Sequence, residues 1–183
     1  TASCALLAIP SEPRLRKTLA RMLDPEEFLS DFGIRSLSKA NEENPFVFTH
    51  GGETNEVQYT PGESETSMFG GNSNWRGPIW FPVNYLLIES LQKFDCYYGD
   101  EFKIECPTGS GQFMSIGQVA AELSRRLSRI FLRGGDGQRP VFGPCATAVS
   151  AVGSANGREE HCSQSSGTRE TATSFGEAAL VLV

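Results

Sequence analysis

The side chains best suited to chemistry lie together in one short segment of the chain. This segment contains Asn74, Trp75, Arg76 and Trp80, and its tryptophans are the only two in the 183 residues. Indole rings pack on the apolar face of a pyranose, while amide and guanidinium groups donate hydrogen bonds to its hydroxyls. These four residues therefore predict a sugar-binding site.

A second interpretation of the same segment is structural. Trp75 and Trp80 would then be core residues that anchor a turn leading into a buried helix, as large aromatic side chains often do. The local chemistry leaves both interpretations open.

The composition argues against several other kinds of site. A formal charge of −6 and a pI near 5.0 do not favour nucleic acid, because phosphate binding needs clustered Lys and Arg. The five cysteines form no CxxC pair, and with only two histidines we predict no metal and no cofactor. The odd cysteine count also fits a disulfide framework poorly, which favours a reducing compartment.

No apolar run approaches the roughly 18 residues that a membrane span requires, so we expect no membrane partner. The first residues lack an initiator Met and a basic leader. We therefore expect the chain to begin within a longer protein, and its compartment is not determined, although the cytoplasm is favoured.

Hydrophobic periodicity predicts helices in three places. The first spans Pro13 to Leu23, the second spans Val83 to Tyr98, and the third follows a capping-box pattern at Ser115 and Gln118 and ends near Gly134. Residues 39–67 are predicted to be loop or a short hairpin. Beyond residue 143 the chain is rich in Ala, Ser, Gly and Thr, which predicts disorder.

The chain contains the segment Trp75-Arg76-Gly77-Pro78-Ile79-Trp80 followed by Asn84-Tyr85-Leu86-Leu87. This segment resembles one found in glycoside hydrolase family 63 and its mannosylglycerate-hydrolase-like relatives. The resemblance covers about residues 6 to 143. It is carried by Arg21-Met22-Leu23-Asp24, Glu27-Phe28-Leu29, Phe32 to Ser38, Met68 to Tyr85, Tyr98-Gly99-Asp100 and Glu105 to Gly111.

This resemblance implies an (α/α)6 barrel whose loops form a sugar pocket, with inverting hydrolysis of α-glycosidic bonds by a general acid and a general base. Such a barrel needs about a dozen helices, which is more than this chain supplies. We therefore predict a mainly α fold, a partial (α/α)6 barrel (toroid) with long irregular loops. Residues 1–143 would be the domain fragment and residues 144–183 a divergent, disordered tail.

The resemblance also implies that Trp75, Arg76 and Trp80 line the pocket, while proton transfer falls to carboxylates. Glu63 and Glu65 are the nearest in sequence, but a solvated loop charge is the commoner explanation for carboxylates in such a loop. In the family the acid is expected upstream of Thr1, and the base in a later Glu-x-Tyr segment that this chain lacks. Catalytic residues are therefore unknown, and a shifted reading frame or mispredicted splice would explain the tail.

The sequence thus predicts a fragment of an inverting glycoside hydrolase acting on α-linked glucosyl oligosaccharides, catalytically incomplete as it stands. The alternative is a non-enzymatic carbohydrate-binding or helical interaction module, with the tryptophans as its platform. A truncated product without a function of its own is the third possibility.

Overall fold

Two helices that run in opposite directions form the centre of the computed structural model. The structure describes residues 8–61, 76–135, 137 and 139–141. Helix α2 spans Phe81–Tyr98 and helix α3 spans Ile116–Arg129, and a shorter helix α1, Glu12–Met22, precedes them. The rings of Phe81 and Phe131 meet edge to face with centroids 5.8 Å apart, so the start of α2 lies beside the end of α3.

All three helices contribute to one hydrophobic core. The amphipathic spacing of α1 and α3 turns leucine, valine and isoleucine side chains inward, where each side chain removed from water contributes roughly 1.5–3 kcal/mol. The fully buried aliphatic members are Leu19, Leu23, Leu29, Ile79, Ile116, Val119, Leu123 and Ile130.

The N-terminus of α3 is held by side chains from two elements. The Ser115 hydroxyl accepts a hydrogen bond from the Gln118 N–H, and the Gln118 side chain accepts one from the Ser115 N–H, which confirms the predicted capping box. Asp95 of α2 accepts a third bond, from the Gly117 N–H at 2.7 Å. Helix α3 is therefore fully capped only when α2 lies beside it.

Three small antiparallel sheets accompany the helices. Strands β1, Leu29–Ser30, and β2, Gly33–Ile34, form the first, and β3, Phe46–His50, and β4, Glu53–Val57, form the second. Strands β5, Lys103–Glu105, and β6, Phe113–Ser115, form the third. Short 3-10 turns occupy Lys39–Asn41 and Gly99–Glu101.

The predicted fold class is wrong. The described residues form a mixed α/β arrangement of three helices and three two-stranded sheets, rather than a mainly α partial (α/α)6 barrel. Periodicity located α1, α2 and α3, but the strands are short and mostly lack one buried face. Every residue of β3 is exposed, so no alternation of buried and exposed positions marks it as a strand. The predicted tail, residues 144–183, lies outside the described residues.

The pairing of strands β3 and β4 is determined by the turn between them rather than by burial in a core. Gly51 and Gly52 connect the strands with φ of 61° and 86°. Positive φ at both central residues of a two-residue loop matches the twist of paired strands, and glycine adopts it without strain.

No helix in the described parts of the chain has both the length and the apolarity needed to cross a lipid bilayer. Those same residues contain no group of three or more His, Cys, Asp or Glu side chains arranged to hold a metal ion.

The Asn84 side chain joins α2 to strand β2. Its Oδ1 accepts a hydrogen bond from the Ile34 N–H at 2.7 Å, and its Nδ2 donates to the Ile34 carbonyl at 3.0 Å. The same Nδ2 lies 3.0 Å from the Trp80 carbonyl, and the side chain is only 2% exposed. Gly33 permits this approach, because a Cβ there would lie 2.8 Å from Oδ1.

Replacing Asn84 by aspartate tests this connection. Asn84→Asp keeps one acceptor but points a buried carboxylate oxygen at the Ile34 carbonyl. Because a buried charge without a donor is costly, we expect the free energy of unfolding to fall by about 2 kcal/mol or more. Urea denaturation at pH 7 measures it, with Asn44→Asp at an exposed position as the control. Equal stability of the two variants would contradict the role of Asn84.

Glu27 ties the end of α1 to the turn before residue 39. Its Oε1 accepts from Arg21 Nε at 3.1 Å, and its Oε2 accepts from the Ser38 hydroxyl at 3.0 Å. The Arg21 hydrogen bond, with a smaller contribution from Ser38, lowers the pKa of Glu27 below its ordinary value of 4.5, against the opposing effect of burial.

The lowered pKa predicts a loss of stability in acid. Because the pKa of Glu27 is lower in the folded chain, its contribution is complete above pH 4.5 and disappears as the pH falls through the folded-state pKa. Glu27→Gln should therefore unfold with a shallower pH dependence below pH 4.5 than the parent chain. Urea midpoints measured between neutral and strongly acidic pH check this. The exposed Glu43→Gln serves as the control, and a parallel pH profile for Glu27→Gln would refute the assignment.

Candidate functional site

Two of the four predicted sugar-site residues lie within the described chain. Arg76 is 3% exposed, and Trp80 is half-buried immediately before α2. Asn74 and Trp75 lie outside the described residues, as do Glu63 and Glu65. The geometry of the site is therefore that of Arg76, Trp80 and their surroundings.

The backbone from Arg76 to Trp80 is held on one side by the residues that follow β2. The Gly77 N–H donates to the Ser36 hydroxyl at 3.0 Å, and the Ser36 N–H donates to the Pro78 carbonyl at 3.2 Å. Arg35 and Ile79 form an antiparallel bridge beside them. Because Ile79 is fully buried, this segment is fixed to the core as well as to its neighbour.

On the other side, the chain that leaves hairpin β3–β4 contacts the same segment. The Thr60 N–H donates to the Arg76 carbonyl at 2.8 Å, and Tyr59 is buried with its ring against Gly77. Gly77 has a φ of 129°, and a Cβ there would lie 2.4 Å from the Tyr59 ring. Only glycine satisfies both the backbone angle and the close ring contact.

Two nitrogens of the Arg76 guanidinium are buried without an acceptor among the described residues. Its Nε and Nη2 atoms have no hydrogen-bond partner among the described residues, and neither does the buried Thr60 hydroxyl. Nε and Nη2 direct N–H groups along the same edge of the planar group, which forms a two-pronged donor. Buried charged donors are costly unless paired, so this edge suits an oxygen-rich group that binds there.

Arg35 provides a contrast close by in the sequence. It is also buried, but its Nη1 donates to the carbonyls of Leu29 at 2.6 Å and Pro25 at 2.9 Å. Arg35 is therefore a structural arginine that holds the backbone of the turn leading into β1. The sequence analysis identified Arg76 but not Tyr59, Thr60 or Asn84, whose proximity depends on contacts between distant residues.

Four described carboxylates that lie near the motif in sequence have other surroundings. Asp95 caps α3, and Glu53 and Glu56 lie in the exposed strand β4. Glu105 accepts hydrogen bonds from the backbone of Gly109 and Gly111, which lower its pKa. Within the described ranges, no carboxylate forms an ion pair with Arg76.

A shallow surface groove lies elsewhere, between β6 and α3. Phe113, Met114 and Ala121 line its apolar part, and the ion-paired Glu122 and Arg125 line its polar part. The Arg125 and Arg126 hydrogen bonds lower the pKa of Glu122, which keeps it ionised. The groove includes neither Arg76 nor Trp80.

Comparison with known proteins identifies the family. The model of the glycosyl hydrolase family 63 C-terminal domain matches residues 4–108, which confirms the resemblance found in the sequence. The Saccharomyces cerevisiae protein YMR196W, described as uncharacterized, is 50% identical over 136 residues, which are 74% of this chain and 12% of that protein. Mannosyl-oligosaccharide glucosidase from the same yeast is 33% identical over 92 residues, or 49% of this chain and 8% of the enzyme. The chain thus spans about a tenth of the length of these relatives.

The contact between Gly77 and Tyr59 predicts a position-specific cost. Gly77→Ala would displace the Tyr59 ring and with it the Thr60–Arg76 hydrogen bond, lowering the free energy of unfolding by about 2 kcal/mol or more. The matched control is Gly52→Ala, where φ is also positive at 86° but no atom lies within 4 Å of the added Cβ. Denaturant unfolding compares the two. Similar losses in both variants would show that φ alone requires glycine at position 77.

Proposed function

Because the chain belongs to glycosyl hydrolase family 63, we propose that it forms part of the sugar pocket of an enzyme that hydrolyses α-linked glucosyl oligosaccharides. Asn74, Trp75, Arg76 and Trp80 line that pocket. The observation that carries the proposal is the buried donor edge of Arg76, which has no acceptor among the described residues.

Arg76 is suited to bind rather than to transfer protons. A guanidinium remains protonated at all physiological pH values, so it neither donates a proton to a leaving group nor activates water. Adjacent sugar hydroxyls present two oxygens to its Nε and Nη2 edge. Hydrogen bonds to a charged group contribute about 1.5–3 kcal/mol each when they are shielded from water.

The surroundings of Arg76 support binding without rearrangement. Its carbonyl is bonded to Thr60, and the next three residues are bonded to the segment from Arg35 to Ser36. A donor held on a fixed backbone loses little freedom when its ligand arrives, which favours affinity. Trp80, half-buried and next to the bonded segment, supplies an aromatic surface beside it.

The substrate class is supported by the named relative. The yeast protein 33% identical to this chain is a mannosyl-oligosaccharide glucosidase. Inverting hydrolysis requires two carboxyl groups roughly 6.5–9.5 Å apart, one to protonate the leaving oxygen and one to activate water. We place this pair in other parts of the full-length enzyme, so that the present chain binds sugar but is catalytically incomplete.

A second candidate is a carbohydrate-binding module without hydrolysis. The observation that favours it is that the described carboxylates near the motif serve structural roles or lie on the exposed hairpin, and none pairs with Arg76. Release of glucose from α-linked oligosaccharides by the full-length protein separates the two candidates, because only the first predicts it. Glu63→Gln and Glu65→Gln in that protein test the nearest carboxylates in sequence.

Arg76→Lys tests the role of the donor edge. Lysine keeps the charge but cannot present two parallel N–H groups, so affinity for glucose should fall by roughly tenfold or more. Tryptophan fluorescence titrated with glucose measures this, because both tryptophans lie in the proposed pocket.

The matched control is Arg125→Lys, which alters an exposed ion pair with Glu122 on α3. Its affinity for glucose should equal that of the parent chain. Unchanged affinity in Arg76→Lys, or no fluorescence response to glucose in the parent chain, would contradict the proposed function.

A further inference from the structure

Hairpin β3–β4 presents an aromatic and polar face to solvent. The register pairs Phe46 with Val57, Phe48 with Asn55 and His50 with Glu53. Alternate residues of a strand share one face and directly paired residues lie side by side, so these six side chains lie on the same face. The Phe46 and Phe48 rings are stacked with centroids 6.0 Å apart and planes inclined by 24°.

These two phenylalanines do not contribute to the hydrophobic core. Phe46 is 61% exposed and Phe48 is 38% exposed, and neither belongs to the core cluster or to the residues packed against it. An isolated two-stranded hairpin is marginally stable in water, and exposed phenylalanines add little to it. Packing against the described residues therefore does not explain the stacked pair.

The hairpin leads directly to the Arg76 site. After β4, the Gln58 side chain donates to the Glu42 carbonyl at 3.1 Å, and the Tyr59 N–H donates to the Asn41 carbonyl at 3.2 Å. The next residue, Thr60, is bonded to Arg76. At about 3.3 Å per residue, Asn55 lies within about 17 Å of Thr60 along the chain. An oligosaccharide with one end at Arg76 can span that distance.

The composition of this face favours a sugar over an apolar protein surface. Asn55, His50 and Glu53 occupy the half of the face nearest the turn, and a dry interface would bury these polar groups without partners at considerable cost. A sugar offers hydroxyls to an amide, an imidazole and a carboxylate, while its apolar face packs on aromatic rings.

We propose that hairpin β3–β4 is a second sugar-binding platform, which holds the residues of an α-linked oligosaccharide that extend away from the Arg76 pocket. Phe46 and Phe48 pack on pyranose faces, and Asn55, His50 and Glu53 bind hydroxyls. This inference rests on the proposed function, because it takes Arg76 as the site of the terminal sugar.

The test compares affinity with oligosaccharide length, using the full chain and glucose, maltose, maltotriose and maltotetraose as probes in isothermal titration calorimetry. The parent chain should bind maltotetraose roughly tenfold or more tightly than glucose, since stacking on an aromatic ring contributes about 1 kcal/mol per contact. Phe46→Ala/Phe48→Ala should lose this gain while its affinity for glucose stays within twofold of the parent chain.

Two further variants make the comparison specific. Val47→Ala/Thr49→Ala changes the opposite face of the same strand and should keep the gain with length. Phe46→Tyr/Phe48→Tyr retains both rings and should also keep it, which separates loss of the platform from loss of the hairpin.

The outcomes distinguish this inference from the proposed function. If the parent chain binds glucose but gains nothing with length, or if both alanine pairs behave alike, the platform is refuted and the Arg76 pocket survives. If the parent chain binds no probe, both proposals fail. If Phe46→Ala/Phe48→Ala only abolishes self-association in sedimentation, the face is a contact between copies and the platform is also refuted.

Discussion

The two hydrogen bonds between the Asn84 side chain and the backbone of Ile34 are the contact on which the rest of the site depends. They join residues 50 positions apart. One buried side-chain amide bonds both the N–H and the carbonyl of Ile34. Strand β2 is thereby fixed to α2. The residues that follow it then hold the backbone of Gly77 and Pro78, and that backbone positions Arg76. The position of the buried Arg76 donor edge therefore depends on the Asn84 side chain at the start of α2, through these intervening contacts.

The two buried arginines show how position changes the role of one residue type. Arg35 donates hydrogen bonds to the carbonyl oxygens of Pro25 and Leu29. These carbonyl dipoles compensate its buried charge, so Arg35 stabilises the fold. The Nε and Nη2 donors of Arg76 have no such partners among the described residues. Proteins tolerate unmatched buried donors chiefly where a ligand or another chain segment completes them. We propose that a sugar completes these donors in this chain.

Sequence patterns predicted the parts of this structure that depend on near neighbours. The apolar spacing of Leu15 and Leu19, and the Ser115–Gln118 pair, are local signals, and the corresponding helices formed where expected. The mainly α prediction failed partly because β3 and β4 are paired by glycine turn geometry. Strand β3 is exposed throughout and β4 buries no residue fully, so no hydrophobic period marks them. Arg76 was identified because it lies beside tryptophans and an amide in the sequence. Its burial and the roles of Tyr59 and Asn84 depend on contacts across 16 to 50 positions, which local spacing does not encode. The predictions for Asn74, Trp75 and the tail concern residues outside the described ranges.

The use of Asp95 as a cap for α3 links the formation of two helices in time. Its carboxylate reaches the Gly117 N–H only 22 positions further along the chain, and the loop between them is closed by the β5–β6 pair. Contacts over such short separations cost little loop-closure entropy and form early in folding. These short separations favour assembly of the α2–α3 pair before β2 joins it, so we expect the scaffold of the proposed sugar pocket to form before the pocket itself.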